Sequence, residues 1–265
     1  MKYPIFIPSK GRANMMLTPQ YLEADNLSYS IVVEPQEFEL YKSIYGNKVL
    51  KLPFSNKGIG ETRGWIKNYA RDNGFKRHWQ LDDDLKHFLI WQGKKRRKAG
   101  ASETLELMES FVDRYINVGA ASAFSSVFGH AIKKPFLVNK MVYGFMLIDS
   151  FIPCNFRGRL GEDVDFTLQV LSMSLCTINF QAFQAVSPGG ESRKGGCTEE
   201  YQNGGHEAKV RALKARWPKI VKTKSRANSI IFWVRFKVIK FIELRLIAFH
   251  FFSCFISGVV NFFQI

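Results

Sequence analysis

The sequence predicts a layered α/β fold with one body, residues 1–218, and a basic, hydrophobic C-terminal tail, residues 219–265. Within the body, short apolar stretches with strand character alternate with amphipathic stretches that have helical spacing, and this pattern is typical of α/β layers. The strand-like stretches end at turn residues and charged side chains, where open α/β sheets bind their ligands. A chain of 265 residues is long enough for one such domain and an appendage.

The first half of the body contains four short apolar runs that end at turn residues and predict strands. They cover residues 3–7, 29–33, 48–52 and 78–81. Helical spacing over residues 36–45 and 61–73 predicts two helices between these strands. Gly46 and Gly74 follow these two helices and favour their termination.

The second half continues the alternation with a longer predicted helix over residues 103–118. Leu105, Met108, Val112 and Ile116 recur there at helical spacing. The remaining predicted strands cover residues 121–128, 141–148 and 177–185, and the remaining predicted helices cover residues 162–175 and 207–217.

Composition and charge narrow the class of partner. The net charge of +15 and the isoelectric point near 9.7 favour polyanions such as nucleic acid, acidic lipid headgroups or phosphorylated small molecules. The four cysteines form neither a CxxC pair nor a zinc spacing, so we expect a reducing, cytoplasmic setting. The apolar stretch at the N-terminus is too short for a signal peptide.

Three aspartates, Asp82, Asp83 and Asp84, directly follow the predicted strand 78–81. Adjacent carboxylates repel one another and need a cation or hydrogen-bond donors nearby. Because Mg²⁺ and Mn²⁺ prefer oxygen ligands and bridge to phosphates, this strand-end position favours a metal and diphosphate site. The competing interpretation is a solvated acidic turn or a helix N-terminus with favourable dipole charge.

A second acidic cluster, Glu162, Asp163 and Asp165, lies at the start of a predicted helix in the segment GEDVDF. A carboxylate in such a position can act as a general base on an acceptor hydroxyl. The alternative is that these are ordinary acids that cap a helix N-terminus.

Two basic loops and one histidine complete the candidate site. Ser9, Lys10 and Arg12 follow the first strand, and Arg63 follows a glycine-containing loop, so both loops suit a diphosphate or a nucleotide base. Neither loop matches a P-loop or a GxGxxG motif, and the alternative is a pair of ordinary turns. His206, after a Gly-Gly turn, is either a late metal ligand or a surface histidine.

In chain order, the segments IPSKGR, GIGETRGWIKNYARDNG, WQLDDDL, GEDVDF and GGHE resemble a GT-A-fold glycosyltransferase. More narrowly, the chain resembles the TET-associated glycosyltransferases of bacteriophages and their relatives, which are implicated in sugar modification of hypermodified DNA bases. The resemblance covers residues 1–218 and rests mainly on IPSKGR together with LDDD. It implies a GT-A-like, Rossmann-like mixed sheet flanked by helices, and a metal-dependent hexosyl- or pentosyltransferase.

The resemblance also implies roles for the acidic residues. Asp82 and Asp84 are expected to hold Mn²⁺ or Mg²⁺ together with the donor diphosphate, and Asp83 is expected near the sugar or ribose. Asp163 is the expected catalytic base of an inverting reaction, with Asp165 as the alternative.

The basic loops receive roles from the same resemblance. Ser9, Lys10 and Arg12 are expected to line the pocket of a nucleotide-sugar donor, a UDP-sugar in our interpretation. Arg63 is expected near the diphosphate, and His206 is expected to match a late metal ligand.

The acceptor is predicted from charge and from the resemblance together. A basic run directly after the donor strand could hold a phosphate backbone; it consists of Lys94, Lys95, Arg96, Arg97 and Lys98. A second basic stretch, residues 209–226, carries eight basic residues and no acidic ones. The predicted acceptor is therefore a hydroxymethylated base in phage DNA. The alternative interpretation of each basic run is a solvated face of the protein.

The tail supports a competing acceptor. Residues 246–265 contain no Asp, Glu, Lys or Arg and have about the length needed to span a bilayer. This uncharged stretch favours a membrane-associated glycosyltransferase acting on a lipid or surface glycan. The alternatives for the stretch are a tail packed on the body and an aberrant C-terminus. A non-catalytic basic nucleic-acid-binding protein is the third hypothesis, and it leaves both carboxylate clusters unexplained.

Overall fold

In the computed structural model the described residues are 1–92, 95–125, 134–188, 193–226, 229–234 and 242–246. Within them, ten strands form one sheet in the order β3-β2-β1-β4-β9-β7-β10-β5-β6, with β8 paired to β10. The strands are β1 (Ile5–Pro8), β2 (Ser30–Val33), β3 (Val49–Lys51), β4 (Arg77–Leu81), β5 (His87–Gln92), β6 (Lys95–Ala99), β7 (Val118–Ser125), β8 (Phe136–Val138), β9 (Phe145–Asp149) and β10 (Cys176–Val186). Parallel and antiparallel pairs both occur, which confirms the predicted mixed α/β fold.

Helices pack on this sheet through apolar faces. In the described chain they are α1 (Thr18–Glu23), α2 (Phe38–Tyr45), α3 (Ile59–Asp72), α4 (Ala101–Val112), α5 (Glu162–Ser172), α6 (Thr198–Glu200) and α7 (His206–Arg216). Ile66 and Ala70 of α3 pack against Phe6 of β1 in one buried cluster. Leu105 and Met108 of α4 belong to the largest cluster, so the helical spacing in the sequence marks the buried faces.

One edge of the sheet collects polar residues. Strands β2 and β4 both run parallel to β1, so the carboxyl ends of all three strands meet at the same edge. All residues of β1 and β4 are buried, and therefore the side chains just beyond the strands are the first that can meet a ligand. These are Ser9 after β1, Glu34 after β2 and Asp82 after β4.

Several predicted elements differ from the structure. The predicted helix 103–118 ends at Val112, because the backbone N–H of Tyr115 turns back to the Val112 carbonyl at 3.0 Å. Ile116, which we expected to be on the buried face, is 64% exposed. The predicted strand 141–148 begins only at Phe145, after Gly144 with a φ of +38°. Residues 126–128 of another predicted strand lie outside the described residues.

Strands β5 and β6 were not predicted from the sequence. Most of the predicted basic run forms β6, which pairs antiparallel with β5 so that Arg96 lies opposite Trp91. Its first member, Lys94, lies outside the described residues.

The described parts of the predicted tail contact the body. A hairpin of β11 (Val221–Arg226) and β12 (Ser229–Val234) follows α7, and Val221 is buried beside Leu213. Further on, Ile242 is buried in the main core, and its carbonyl accepts a hydrogen bond from Asn139 at 2.8 Å. The boundary after Pro218 stays a prediction, and residues 247–265 lie outside the described chain. Among the described helices, none has the length and apolar character to cross a bilayer.

Candidate active site

A cavity of about 240 Å³ opens at the polar edge of the sheet. It brings together eight of the ten residues that the sequence selected. These are Ser9, Lys10, Arg12, Arg63, Asp82, Asp83, Asp84 and Asp163. Glu162, named in the second acidic cluster without a role of its own, also lines the cavity, and so do residues that the sequence did not indicate, among them Glu34, Cys197, Glu200 and Tyr201. Segments far apart in the chain therefore meet in one concave site, the usual form of a small-molecule site.

Arg63 links the two acidic clusters. Its side chain is 4% exposed, and the guanidinium contacts Asp82 Oδ1 through Nη2 at 2.5 Å and Glu162 Oε1 through Nε at 3.1 Å. Burial alone would lower the pKa of Arg63, but the two carboxylates together raise it. The side chain therefore stays cationic, and it fixes the end of β4 against the start of α5.

Asp83 pairs with a different cation, Arg12. Arg12 Nη1 donates to Asp83 Oδ1 at 2.7 Å, and the Ser9 hydroxyl donates to Oδ2 at 2.6 Å. Arg12 also donates to the carbonyls of Lys194 and Gly195, at 3.0 and 3.2 Å. Because both oxygens of Asp83 are engaged by the protein, this carboxylate and Arg12 join the β1 loop, the β4 end and the 193–196 loop.

Asp84 has a contrasting environment. It is 6% exposed, and among the described residues no hydrogen bond to its carboxylate is formed. Burial, followed by the negative charges of Asp82 and Asp83, raises the pKa of Asp84 to about 6. The three adjacent aspartates thus differ: Asp82 and Asp83 each face an arginine, and Asp84 is a buried acid without a paired cation in the described chain.

We expect Asp84→Asn to stabilise the protein at pH 7 in metal-free buffer. The folded-state pKa lies above the ordinary value of about 3.9, so ionisation of Asp84 disfavours folding, and this cost is present above pH 6 and vanishes below about pH 4. The shift of about two units corresponds to a gain of about 2–3 kcal/mol in unfolding free energy. Urea unfolding at pH 7 and pH 4 measures it, with the exposed Asp72→Asn as control. Equal stability of Asp84→Asn and wild type at pH 7 would contradict this account.

A buried polar chain lies behind Arg63. Gln80 of β4 is fully buried; its Nε2 donates to the Arg63 carbonyl at 3.1 Å, and its Oε1 accepts from Arg63 Nη1 at 3.4 Å. The same Nε2 lies 3.1 Å from His78 Nε2, and His78 Nδ1 lies 2.8 Å from the Ser150 hydroxyl. Burial lowers the pKa of His78 to about 3, so the imidazole is neutral, accepts from Gln80 and donates to Ser150.

We expect Gln80→Leu to lower the unfolding free energy by about 1–3 kcal/mol, because it leaves buried donors and acceptors of Arg63 and His78 without partners. Chemical denaturation measures the loss. The matched control is Gln202→Leu at an exposed position, for which we expect a change within about 0.5 kcal/mol. Wild-type stability of Gln80→Leu would show that this amide does not support the arginine.

Asp163 and Asp165 occupy opposite environments on α5. Asp163 lines the cavity and is half-buried; burial raises its pKa, opposed by the Val164 N–H and by Arg63 and Lys209. Asp165 is fully buried away from the cavity. Its oxygens accept bonds of 2.8 Å each from Arg157, Gln169 and the Trp217 indole; the donors are Arg157 Nε and Nη2, Gln169 Nε2 and Trp217 Nε1. Of the two candidate bases, the geometry favours Asp163, and Asp165 joins α5 to the segments around it.

Lining residues without a predicted role differ in whether the sequence carries a signal for them. Glu34 follows β2 in the way that Asp82 follows β4, and its carboxylate pairs with Lys10 Nζ at 3.1 Å; the strand-end rule could have identified it. Glu162 lies in the recognised acidic cluster, and burial together with Asp163 raises its pKa to about 7. Tyr201 follows no strand and carries no motif, so the sequence gives no signal for its position.

His206 is not among the cavity-lining residues. It is exposed at the start of α7, and its ring centroid lies 4.7 Å from that of Tyr201. Within the described chain, no group of three or more His, Cys, Asp or Glu side chains has the arrangement of a metal site. The predicted metal roles of Asp82, Asp84 and His206 therefore stay predictions.

The structure is an α/β fold with a cavity at the carboxyl ends of its parallel strands, the position where open α/β sheets bind their ligands. Residues 3–194 match the model of the TET-Associated Glycosyltransferase family, and the chain belongs to that family. It is thus a glycosyltransferase by family, as the resemblance implied.

Curated relatives and solved structures show weaker similarity. GREB1-like proteins of Danio rerio and Mus musculus are 26% and 27% identical over 222 and 225 residues. These matches cover 70% of this chain but only 11% and 12% of those proteins. A CMP:2-keto-3-deoxy-manno-octonic acid synthetase complexed with CTP has a TM-score of 0.46 at 12% identity, covering 82% of this chain and 99% of that one. An apo UDP-glucose pyrophosphorylase has a TM-score of 0.43 at 11% identity, covering 70% and 92%.

Proposed function

We propose that this protein moves a sugar from a nucleoside-diphosphate-sugar donor, a UDP-sugar in our interpretation, to a hydroxyl acceptor in a metal-dependent reaction. The observation that carries the proposal is the cavity in which Asp82, Asp84, Arg63 and Asp163 meet. Carboxylates and an arginine suit a metal-bound diphosphate, and a half-buried carboxylate beside them suits deprotonation of an acceptor.

The donor set fits a divalent cation shared between protein and substrate. Mg²⁺ is usually bound through one or two carboxylates together with substrate phosphates, so Asp82 and Asp84 are sufficient protein ligands. A Cβ at Gly144 would lie 2.5 Å from Asp82 Oδ2, so the glycine leaves room at this oxygen. When bound, Mn²⁺ or Mg²⁺ neutralises charge that develops on the departing diphosphate.

The protein side chains supply the other steps. Arg63 and Lys10 orient the diphosphate and nucleotide through charge-assisted hydrogen bonds. Asp163 accepts the proton of the acceptor hydroxyl, whose oxygen forms a bond to the anomeric carbon as the bond between that carbon and the diphosphate oxygen breaks, its electron pair leaving with the diphosphate. Inversion at the anomeric carbon follows from this single displacement.

For the acceptor, we propose a hydroxymethylated base in phage DNA. The net charge of +15 and the family to which the chain belongs both support a polyanionic acceptor. The competing proposal is a membrane-associated transferase that glycosylates a lipid or surface glycan, supported by the uncharged stretch 246–265. A non-catalytic nucleic-acid-binding protein is the remaining alternative.

One experiment separates these three functions. The protein is incubated with Mn²⁺, a panel of nucleotide sugars and hydroxymethylated DNA, and the nucleosides are then analysed by mass spectrometry. We expect the mass of one hexose or pentose on the modified base. Donor turnover without a mass gain on DNA would favour the lipid or glycan acceptor, and DNA binding without any donor turnover would favour the non-catalytic protein.

A further inference from the structure

A basic surface adjoins the loop that carries Asp163. Helix α7 packs beside residues 158–161, which directly precede the Glu162-Asp163 pair. A Cβ at Gly158 would lie 3.1 Å from Arg216 Nη1, and a Cβ at Gly161 would lie 2.6 Å from Lys209 Cγ. Two cationic side chains of α7 are therefore in close contact with this loop, on the side of the cavity where the proposed base lies.

We define the α7 face as the basic residues of α7 and its continuation into β11 that form no ion pair within the described chain. They are Lys209, Arg216, Lys219, Lys222 and Lys224. The neighbouring basic residues have other roles, since Arg211 pairs with Glu207 on the same helix. Lys214 Nζ donates to the carbonyls of Pro218 and Val221 at 2.8 and 2.9 Å.

Two members of the α7 face belong to β11. Lys222 and Lys224 are two residues apart on one strand and therefore lie on the same side of the hairpin. Val221 at the start of the strand is buried beside Leu213 of α7, so the hairpin is attached to the helix. The basic residues of the α7 face thus lie on two elements that pack against each other.

The basic run on β6 differs because two of its cations are engaged by neighbouring side chains. Arg97 pairs with Glu103, and Arg96 donates to Gln184 at 2.8 Å and lies over the Trp91 ring at 4.8 Å. Neither the described residues of this run nor those of the α7 face line the cavity itself. Two of its cations thus take part in contacts within the protein.

We propose that the α7 face binds the phosphodiester backbone of the DNA acceptor and so presents the target base to Asp163. The inference rests on the proposed DNA acceptor. A group of cations with no paired acids attracts a polyanion, and each phosphate that it neutralises releases counterions. Because Lys209 and Arg216 of this group contact the loop of the proposed base, a strand bound here has its nucleotides next to the cavity.

Two charge-reversal pairs test the α7 face against β6. Arg216→Glu with Lys219→Glu alters the α7 face, and Lys95→Glu with Lys98→Glu makes the same change of charge on β6. Kd for a labelled hydroxymethylated duplex is measured from low to moderate salt, with thermal unfolding as the folding control. For the α7 pair we expect binding roughly 10- to 100-fold weaker near 0.1 M salt, and a log Kd–log salt slope smaller by about two. For the β6 pair we expect a change within about twofold.

A second variant keeps the test decisive if Arg216→Glu perturbs the loop at Gly158. Lys219→Glu with Lys224→Glu alters only exposed lysines and should weaken binding by a similar factor. Equal losses in the α7 and β6 pairs, or a loss confined to β6, would overturn the proposed surface. Binding that depends on the α7 face but occurs with phosphatidylserine vesicles and not with DNA would also overturn it.

Donor turnover and DNA binding are measured separately, so the α7 face and the proposed transferase activity can fail independently. Release of nucleoside diphosphate by the unaltered protein, measured in parallel without DNA, reports donor chemistry alone. Donor turnover with no DNA binding overturns the α7 face while the transferase proposal stands. DNA binding that requires the α7 face, without donor turnover on any nucleotide sugar, supports the surface and contradicts the transferase.

Discussion

Asp82→Ala is expected to abolish donor hydrolysis and sugar transfer, with a loss on the order of 10³-fold or more. Asp82 lines the cavity with its side chain 40% exposed, while its Oδ1 is held by Arg63. Removing the carboxylate takes away a proposed metal ligand and leaves the Arg63 charge paired with Glu162 alone. Release of nucleoside diphosphate, measured over a Mn²⁺ titration, quantifies the loss.

Asp82→Asn separates the two consequences of that change. The amide oxygen can still accept a hydrogen bond from Arg63, but the negative charge is gone. If the metal role is correct, Asp82→Asn loses nearly as much activity as Asp82→Ala, and excess Mn²⁺ restores part of it. The exposed Asp72→Ala, on α3, is the control for removal of an aspartate. Full activity in Asp82→Ala would refute the proposed metal site.

The position of residues at strand ends identified two of the segments that line the cavity. Both segments directly follow parallel strands, Ser9 after β1 and Asp82 after β4. The types of side chain at that edge can be identified from the sequence alone. The same reasoning applied to β2 would have added Glu34. The fold class was predictable for a similar reason, since hydrophobic periodicity depends on which face is buried.

Roles within a cluster could not be predicted in this way. The sequence places three aspartates in a row, but only tertiary contacts show that Asp83 is held by Arg12 and Ser9, whereas Asp84 has no such partner in the described chain. Similarly, the segment containing Cys197 and Tyr201 reaches the cavity through contacts with the β1 loop, including Gly196 N–H to the Lys10 carbonyl at 2.8 Å. That contact joins two residues that are far apart in the chain, so no local sequence pattern predicts it.

The basic run shows what a local pattern leaves open. Five consecutive basic residues suggested a site for a phosphate backbone, and all but the first form β6 in the sheet. Register, rather than composition, decides which of those side chains face solvent.

Asp163→Asn is expected to reduce sugar transfer by about 10²–10⁴-fold, the usual contribution of a general base. Binding of the nucleoside diphosphate should be nearly unchanged, because Arg63 and the β4 aspartates remain. The base acts only when ionised, and burial raises the pKa of Asp163. The wild-type rate should therefore fall as the pH drops through that raised pKa, and the residual rate of Asp163→Asn should lack this acidic limb. Single-turnover transfer rates measured across pH test both expectations.

Asp165→Asn is the matched comparison, two residues along the same helix. Its carboxylate bonds to Arg157, Gln169 and Trp217 and not to the cavity, so the substitution should lower stability by about 1–3 kcal/mol. Its transfer rate per folded molecule should keep the wild-type pH profile. If Asp165→Asn lost the acidic limb of the pH profile and Asp163→Asn kept it, Asp165 would be the base. Retention of the donor's anomeric configuration, read by NMR of the product, would exclude a single displacement and with it a base role for either aspartate in that step.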